Sequence, residues 1–261
     1  PDAPDTKNPK LEPGNTEEYP DIYIAMGQTA ENVARREKIS REEQDRYAVK
    51  SQAAAVAARD NGFFDREIIP VPLPNGATFS KDDSPRPGTT MDVLATLNPA
   101  FREDGSVTAG NACPLNDGAA AVVVMSSRKA KELGLKPLAR IVSTGLSALE
   151  PEFMGLGPID ASKQALKRAK MTIDDIDILE INEAFAAQVI PSARGIGVDP
   201  FSDKLNPHGG AIALGHPFGM TGARILCTLI NGLQQKDMTF GLETMCVGGG
   251  QGMAMIVERL N

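Results

Sequence analysis

Beyond Pro137 the chain alternates between short apolar runs and longer amphipathic ones, and few architectures accept that rhythm. Residues 138–144, 176–181, 239–246 and 253–258 read as strands, residues 159–170, 183–194 and 219–234 as helices, and the glycine-rich residues 209–214 as a further strand. Strands separated by helices of this length build a largely parallel sheet with helical crossovers, so the class is α/β.

The first part of the chain has a different texture. Residues 28–38 and 40–61 have helical spacing. The second stretch opens with Ser40-Arg41-Glu42-Glu43, a capping-box pattern, places Val49, Ala53, Val56 and Ala57 on one face, and stops at Gly62. Residues 68–102 are rich in Pro, Gly, Asp and Ser and read as surface loops with one short helix over 90–97. A turn cluster, Asn111-Ala112-Cys113-Pro114-Leu115-Asn116-Asp117-Gly118, leads into residues 119–125, whose unbroken apolar run suits a strand buried on both faces. Residues 127–134 read as a short helix, and a boundary is expected near residues 126–137.

Composition removes several function classes. A formal charge of -7 with no basic run lacks the footprint of a nucleic-acid binder. No apolar run approaches the roughly 18 residues of a spanning helix, and the polar, acidic opening is no signal peptide. Three cysteines, Cys113, Cys227 and Cys246, are odd in number and widely spaced, which argues against a disulfide framework and a zinc cage. A reducing, cytoplasmic setting is the expectation, with no metal and no bound cofactor. A first residue of proline within a linker-like stretch suggests an internal start.

Several residues have two readings when taken alone. His216, in Gly215-His216-Pro217, fits a buried, satisfied histidine or a held base; His208, in the preceding turn, fits a polar turn residue outside any site. Cys246 fits a small core residue or a reactive thiol, and Gly248-Gly249-Gly250 after it fits a tight turn or a set of N–H donors for an oxyanion. Asn182 fits an N-cap or a ligand position at the carboxyl end of a strand. Cys227, among Ile225, Leu226 and Leu229, reads as core, and Cys113 as either a reactive thiol or a small turn residue.

Together these segments acquire one meaning. Asn182-Glu183-Ala184-Phe185-Ala186, Gly209-Gly210-Ala211-Ile212-Ala213-Leu214-Gly215-His216-Pro217 and Cys246-Val247-Gly248-Gly249-Gly250-Gln251-Gly252 resemble, in order and spacing, the signatures of the thiolases. Met26-Gly27-Gln28-Thr29-Ala30-Glu31-Asn32, the turn around Cys113 and Gly155-Leu156-Gly157-Pro158 are similar as well, so the likeness covers nearly everything after Tyr19. The resemblance implies residues 1–105 as a loop domain, 106–136 as the closing part of an N-terminal half, and 137–261 as a βαβαβαββ C-terminal half. It also implies that most of the first half, with the family's nucleophilic cysteine, lies outside this sequence, so the chain alone is expected to be inactive.

The implied chemistry is thiolysis of a 3-ketoacyl-CoA by CoA, or the reverse Claisen condensation. By the same matching, His216 is the base for the nucleophile, Cys246 the acid/base, Asn182 the holder of a water in one oxyanion hole, and the Gly248 N–H part of a second. Met26, Ala109, Cys113, Ala184 and Phe185 would line the pantetheine and acyl channel, and Arg86 with Phe101 would stand near the nucleotide end of CoA. Where the family often has histidine and serine, this chain has Ala25 and Val93, which favours a broader 3-ketoacyl-CoA thiolase of fatty-acid degradation. The partners implied are acyl-CoA, CoA and a second copy, as homodimer or homotetramer. A CoA-ester or lipid-binding protein without catalysis, and a structural half completed by a separate N-terminal piece, are the competing classes.

Overall fold

The computed structural model describes residues 20–260. The acidic opening before Tyr19 and Tyr19 itself fall outside them. Helices α1 (Met26–Glu37) and α2 (Arg41–Asp60) come first, then a two-residue strand pair, β1 (Val71–Pro72) and β2 (Thr78–Phe79), and the short helices α3 (Met91–Ala95) and α4 (Ser127–Glu132). The alternating part follows as β3 (Ala139–Ala148), α5 (Gly157–Ala169), β4 (Ile178–Ile181), α6 (Ala186–Ile196), α7 (Ala211–Leu214), α8 (Thr221–Gln235), β5 (Phe240–Val247) and β6 (Gln251–Arg259).

The sheet order is β3-β6-β5-β4. Only β4 and β5 pair in parallel; β6 pairs antiparallel with both neighbours. The expectation of a largely parallel sheet is therefore corrected at the level of the ladders, while β3, β4 and β5 still share one direction. The cause is the glycine turn after β5, which returns the chain as a hairpin and inserts β6 between two strands that crossovers had made parallel. Gly250 makes that turn at φ 89. On β6, Gly252 admits α5: a Cβ there would lie 2.2 Å from the Gly157 carbonyl.

All four residues of β4 are buried, because α8 covers one side of the sheet and α5 and α6 the other. Leu179 and Leu242 lie side by side in the parallel register, fully enclosed. Truncating either to alanine would remove a well-packed side chain, a change that costs about 2–5 kcal/mol in such cores.

Several local expectations are corrected. Residues 119–125 form no strand and are largely exposed, Val123 at 85%. Among the described residues no strand lies beside them, and an apolar run becomes a strand only when a ladder takes up its backbone groups. Residues 209–214 are not a strand either. The Gly210 N–H donates to Ser51 Oγ at 3.2 Å and the Ile212 N–H to a Glu183 carboxylate oxygen at 3.2 Å, so the amides open the helical turn α7 instead of joining the sheet. The third strand implied by the resemblance shrinks to a single parallel bridge between Leu205 and Leu179.

Helix α2 buries a polar face in place of the apolar one expected: Gln44, Asp45, Tyr47, Ala48, Ser51 and Gln52 point inward, whereas Ala53 and Ala57 are exposed. Its capping box is half formed. Ser40 Oγ accepts the Glu43 N–H at 3.1 Å, but the Glu43 side chain pairs with Arg194 of α6. His208 does sit in a turn, yet it is buried and stacked on Phe63 with ring centroids 3.6 Å apart. Burial, followed by the nearby Lys236 charge, pushes its pKa down to about 4, so it stays neutral at physiological pH.

Candidate active site

The carboxyl ends of β4 and β5, the one parallel pair, carry the candidate site, as open α/β sheets favour. Asn182 follows β4 directly, and its N–H donates to the Thr244 carbonyl at 3.0 Å. That bond ties it to β5 two residues before Cys246. Gln188, in the first turn of α6, donates to the Asn182 carbonyl at 3.2 Å and so holds the strand end from the other side.

His216 arrives on the segment between α7 and α8. Its N–H donates to Asn116 Oδ1 at 3.1 Å, which ties it to the turn that also holds Cys113. Its ring Nδ1 lies 2.7 Å from Thr221 Oγ1. Asn182 Nδ2 lies 3.3 Å from Nε2 and 3.4 Å from Nδ1, a near-equality that places it off the lone-pair axis of either nitrogen. Asn182 Oδ1 is buried without a protein partner, an acceptor that a buried water or substrate group would satisfy. Phe218 packs edge-on against the imidazole, with centroids 5.1 Å apart.

Cys246 is buried and packs with Met154 and Ala184, and Met26 and Phe185 close the cluster. Cys113 joins it from the turn: its N–H donates to the Ala184 carbonyl at 3.0 Å, and Ala112 bridges to Phe185. Phe101 meets Phe185 edge-on at 5.9 Å, with its ring over Gly27. Gly248 stands two residues beyond Cys246, exposed in the β5–β6 turn.

Electrostatics divide these groups by task. Burial pushes the Cys246 thiol up to about 12 and Cys113 to about 11, so both keep their protons at neutral pH. Burial, with the Arg224 charge behind it, lowers His216 and keeps the imidazole neutral. A neutral imidazole and two protonated thiols supply one base and proton donors; neither thiol has the depressed pKa that a nucleophilic cysteine needs. Under the site, Glu180 and Glu243 are cross-strand neighbours. Burial raises each to about 8, against the pull of Arg224.

A cleft of about 180 Å³ borders the turn that holds Cys113, lined by Arg86, Val93, Leu94, Ala109, Pro114 and Ile212 among others, with none of His216, Asn182, Cys113 or Cys246 in its wall. Arg86 and Ala109 therefore share a wall, while Phe101 stands apart with Phe185. A larger hollow, about 380 Å³, lies at the amino ends of the strands around Arg140, Lys170, Asp175 and Phe240, remote from the acid/base groups.

Sequence reasoning missed three partners. Thr221, Asn116 and Glu183 all act across turns or between elements; Asn116 and Glu183 fall inside quoted segments, the turn around Cys113 and Asn182 to Ala186, whereas Thr221 carries no signal in the sequence. The Glu183 carboxylate accepts from Tyr47 Oη at 2.9 Å, Ser51 Oγ at 2.5 Å and Asn206 Nδ2 at 2.7 Å, besides the Ile212 N–H.

The family model for the thiolase N-terminal domain matches residues 14–128, and that for the thiolase C-terminal domain matches residues 135–259. An acetyl-CoA acetyltransferase of Cupriavidus necator is 52% identical over 245 residues, covering 92% of this chain and 62% of that protein. The acetyl-CoA acetyltransferase of Escherichia coli is 50% identical, covering 90% and 60% respectively. Among solved structures, the Bacillus anthracis acetyl-CoA acetyltransferase superposes with a TM-score of 0.88 at 46% identity, over 91% of this chain and 60% of the other. Human mitochondrial 3-ketoacyl-CoA thiolase in complex with CoA superposes at 0.85 with 42% identity, over 91% and 59%. The sequence thus spans about 60% of the length of these relatives.

Proposed function

This chain belongs to the thiolase family, and on that premise we propose that it supplies the base and the acid of a thiolase site whose nucleophilic cysteine lies in a segment outside this sequence. The observation that carries the reading is that Asn182, at the end of β4, lies 3.3 Å from His216 Nε2 through Nδ2 and is tied through its N–H to the Thr244 carbonyl, two residues before Cys246, while burial lowers the pKa of His216 and raises that of Cys246.

In thiolysis, His216 Nε2 takes the proton of the nucleophile, whose thiolate forms a bond to the 3-keto carbon of the substrate. The C2–C3 bond then breaks, its electron pair passes to the enolate of acetyl-CoA, and the Cys246 S–H protonates C2. Free CoA then gives its thiol proton to the Cys246 thiolate and attacks the acyl-cysteine carbonyl; the bond from that carbonyl to the nucleophile's sulfur breaks, the sulfur takes back the proton held on His216, and the shortened acyl-CoA leaves. Each transfer needs a group in the protonation state that burial imposes here. Once protonated, His216 Nε2–H can donate to the enolate oxygen with a water held on Asn182 Oδ1, and the Gly248 N–H serves the acyl-enzyme oxyanion together with a donor from the nucleophile's own segment.

CoA would enter along the cleft, its pantetheine passing Ala109 and Cys113 towards Met26, Ala184 and Phe185, with Arg86 at the nucleotide end and Phe101 bracing Phe185. The names of the relatives include acetyl-CoA acetyltransferase, which points to short acyl chains. Ala25 at the exposed start of α1 and Val93 on the cleft wall favour longer 3-ketoacyl chains. We take the broader specificity, the cytoplasmic setting in fatty-acid degradation and self-association as parts of the proposal.

The pH profile of the complete enzyme tests the base. Because His216 is lowered from its ordinary value near 6.5, it should remain unprotonated, and kcat/KM level, through that pH, with activity lost only as acidification carries His216 through its depressed pKa. An acid limb centred at or above pH 7, when measured with a short 3-ketoacyl-CoA, would contradict a neutral His216 base.

A further inference from the structure

Resting on the reading of His216 as the base, we propose that Thr221 is its positioning residue, selecting the ring tautomer that leaves Nε2 free. The side chain of Thr221 is fully buried, and its hydroxyl has two close polar neighbours: the Pro217 carbonyl at 2.9 Å and His216 Nδ1 at 2.7 Å. A hydroxyl has one hydrogen to place. If it pointed at Nδ1, two oxygens would face each other across 2.9 Å with no proton between them, a repulsive contact in a dry site. If it points at the Pro217 carbonyl, Oγ1 presents a lone pair to His216 and Nδ1–H fills the 2.7 Å gap. Only the second arrangement places a proton in both contacts.

The local backbone enforces that choice. Thr221 is the first residue of α8, and its hydroxyl bonds back to the carbonyl four residues earlier, a geometry natural to threonine at the start of a helix. The same carbonyl accepts the Met220 and Thr221 N–H groups at 3.0 and 3.2 Å, which fixes it in place. The remaining polar neighbour of the ring, Asn182 Nδ2, can only donate, so it cannot accept Nδ1–H in place of Thr221. With Nδ1 protonated, the lone pair of the neutral ring lies on Nε2, the atom that the mechanism uses. Thr221 touches no reacting atom and acts wholly through His216.

The test is nitrogen-resolved NMR of histidine-labelled protein near neutral pH. The chain has two histidines, so His208 and His216 are separable by single substitution. In the wild type His216 should carry its proton on Nδ1. Thr221→Val, of like shape but with no acceptor, should shift the proton towards Nε2, whereas Thr221→Ser should keep the wild-type pattern. In the complete enzyme Thr221→Val should lower kcat about 10- to 100-fold with KM unchanged, as loss of an outer partner of a functional histidine does, and Thr221→Ser should restore it. A wild-type His216 protonated on Nε2, which needs no variant to observe, would overturn the proposal. So would a folded Thr221→Val protein with Nδ1–H intact. Undiminished thiolysis by His216→Ala would instead remove the base reading, and the catalytic half of this proposal with it, whatever tautomer the spectra give.

Discussion

Cys246→Ala in the complete enzyme should reduce Claisen condensation by about 10²–10⁴-fold, the range that a positioned acid or base contributes, while acyl transfer onto the nucleophile continues. The asymmetry follows from which step needs which proton. Loading an acyl group from a thioester requires a thiolate and a donor to its tetrahedral oxyanion, which His216 and backbone N–H groups provide. Making or breaking the carbon–carbon bond requires a proton to leave or reach C2, and Cys246, whose thiol burial holds at about 12, is the proposed carrier. Its replacement by alanine leaves the small apolar pocket of Met154, Ala184 and Phe185 nearly filled, so a large loss could not be charged to misfolding. Condensation of two acetyl-CoA molecules and exchange of labelled CoA into acetyl-CoA measure the two halves separately. Equal loss in both, or none in condensation, would remove Cys246 from the role.

Glu183→Ala should be the most damaging single change to stability, costing about 3–5 kcal/mol. The residue is fully buried and its carboxylate gathers four donors from three parts of the chain: Tyr47 and Ser51 on α2, Asn206 before the glycine turn, and the Ile212 amide at the start of α7. Tyr47 stays a donor because burial first, then the Glu183 charge, hold its phenol well above the ordinary value. Removing the carboxylate strands the Tyr47, Ser51 and Ile212 donors, while Asn206 Nδ2 keeps the Ile181 carbonyl at 2.9 Å. The same contacts seat the segment that carries His216, so the loss should reach the base as well as the fold. Glu183→Gln keeps one acceptor oxygen but turns an NH₂ towards donors, and should fall between. Denaturant midpoints would show this; a shift of Glu183→Ala below about 1 kcal/mol would mean that the network is incidental.

Much of this arrangement can be read from the chain itself, for reasons that differ by element. Helices α5, α6 and α8 and strands β4, β5 and β6 announce themselves because their apolar spacing is set by the layers they separate. The insertion of β6 between β3 and β5 leaves no trace in local pattern, since a hairpin return and a crossover feed the same apolar strand. Residues 209–214 mislead because small apolar residues next to glycines suit a strand, and the groups that capture their amides, Ser51 and Glu183, lie far away in sequence. The polar inner face of α2 misleads for the same reason: Tyr47, Ser51 and Asp45 are buried against partners more than 60 residues away. At the site, His216, Asn182 and Cys246 were legible through their motifs. Thr221 was not, because five residues separate it from His216 across a turn whose geometry the sequence does not display.

We propose that this chain holds a working base and acid but not the nucleophile. This is tested most directly by following cleavage of a 3-ketoacyl-CoA with CoA, by the chain as it stands and by the same chain extended with the N-terminal cysteine-bearing segment of a thiolase. No turnover is expected without the extension and thiolysis with it, lost again on His216→Ala. Turnover by the chain alone, abolished by changing Cys113 or Cys246, would instead place the nucleophile within it.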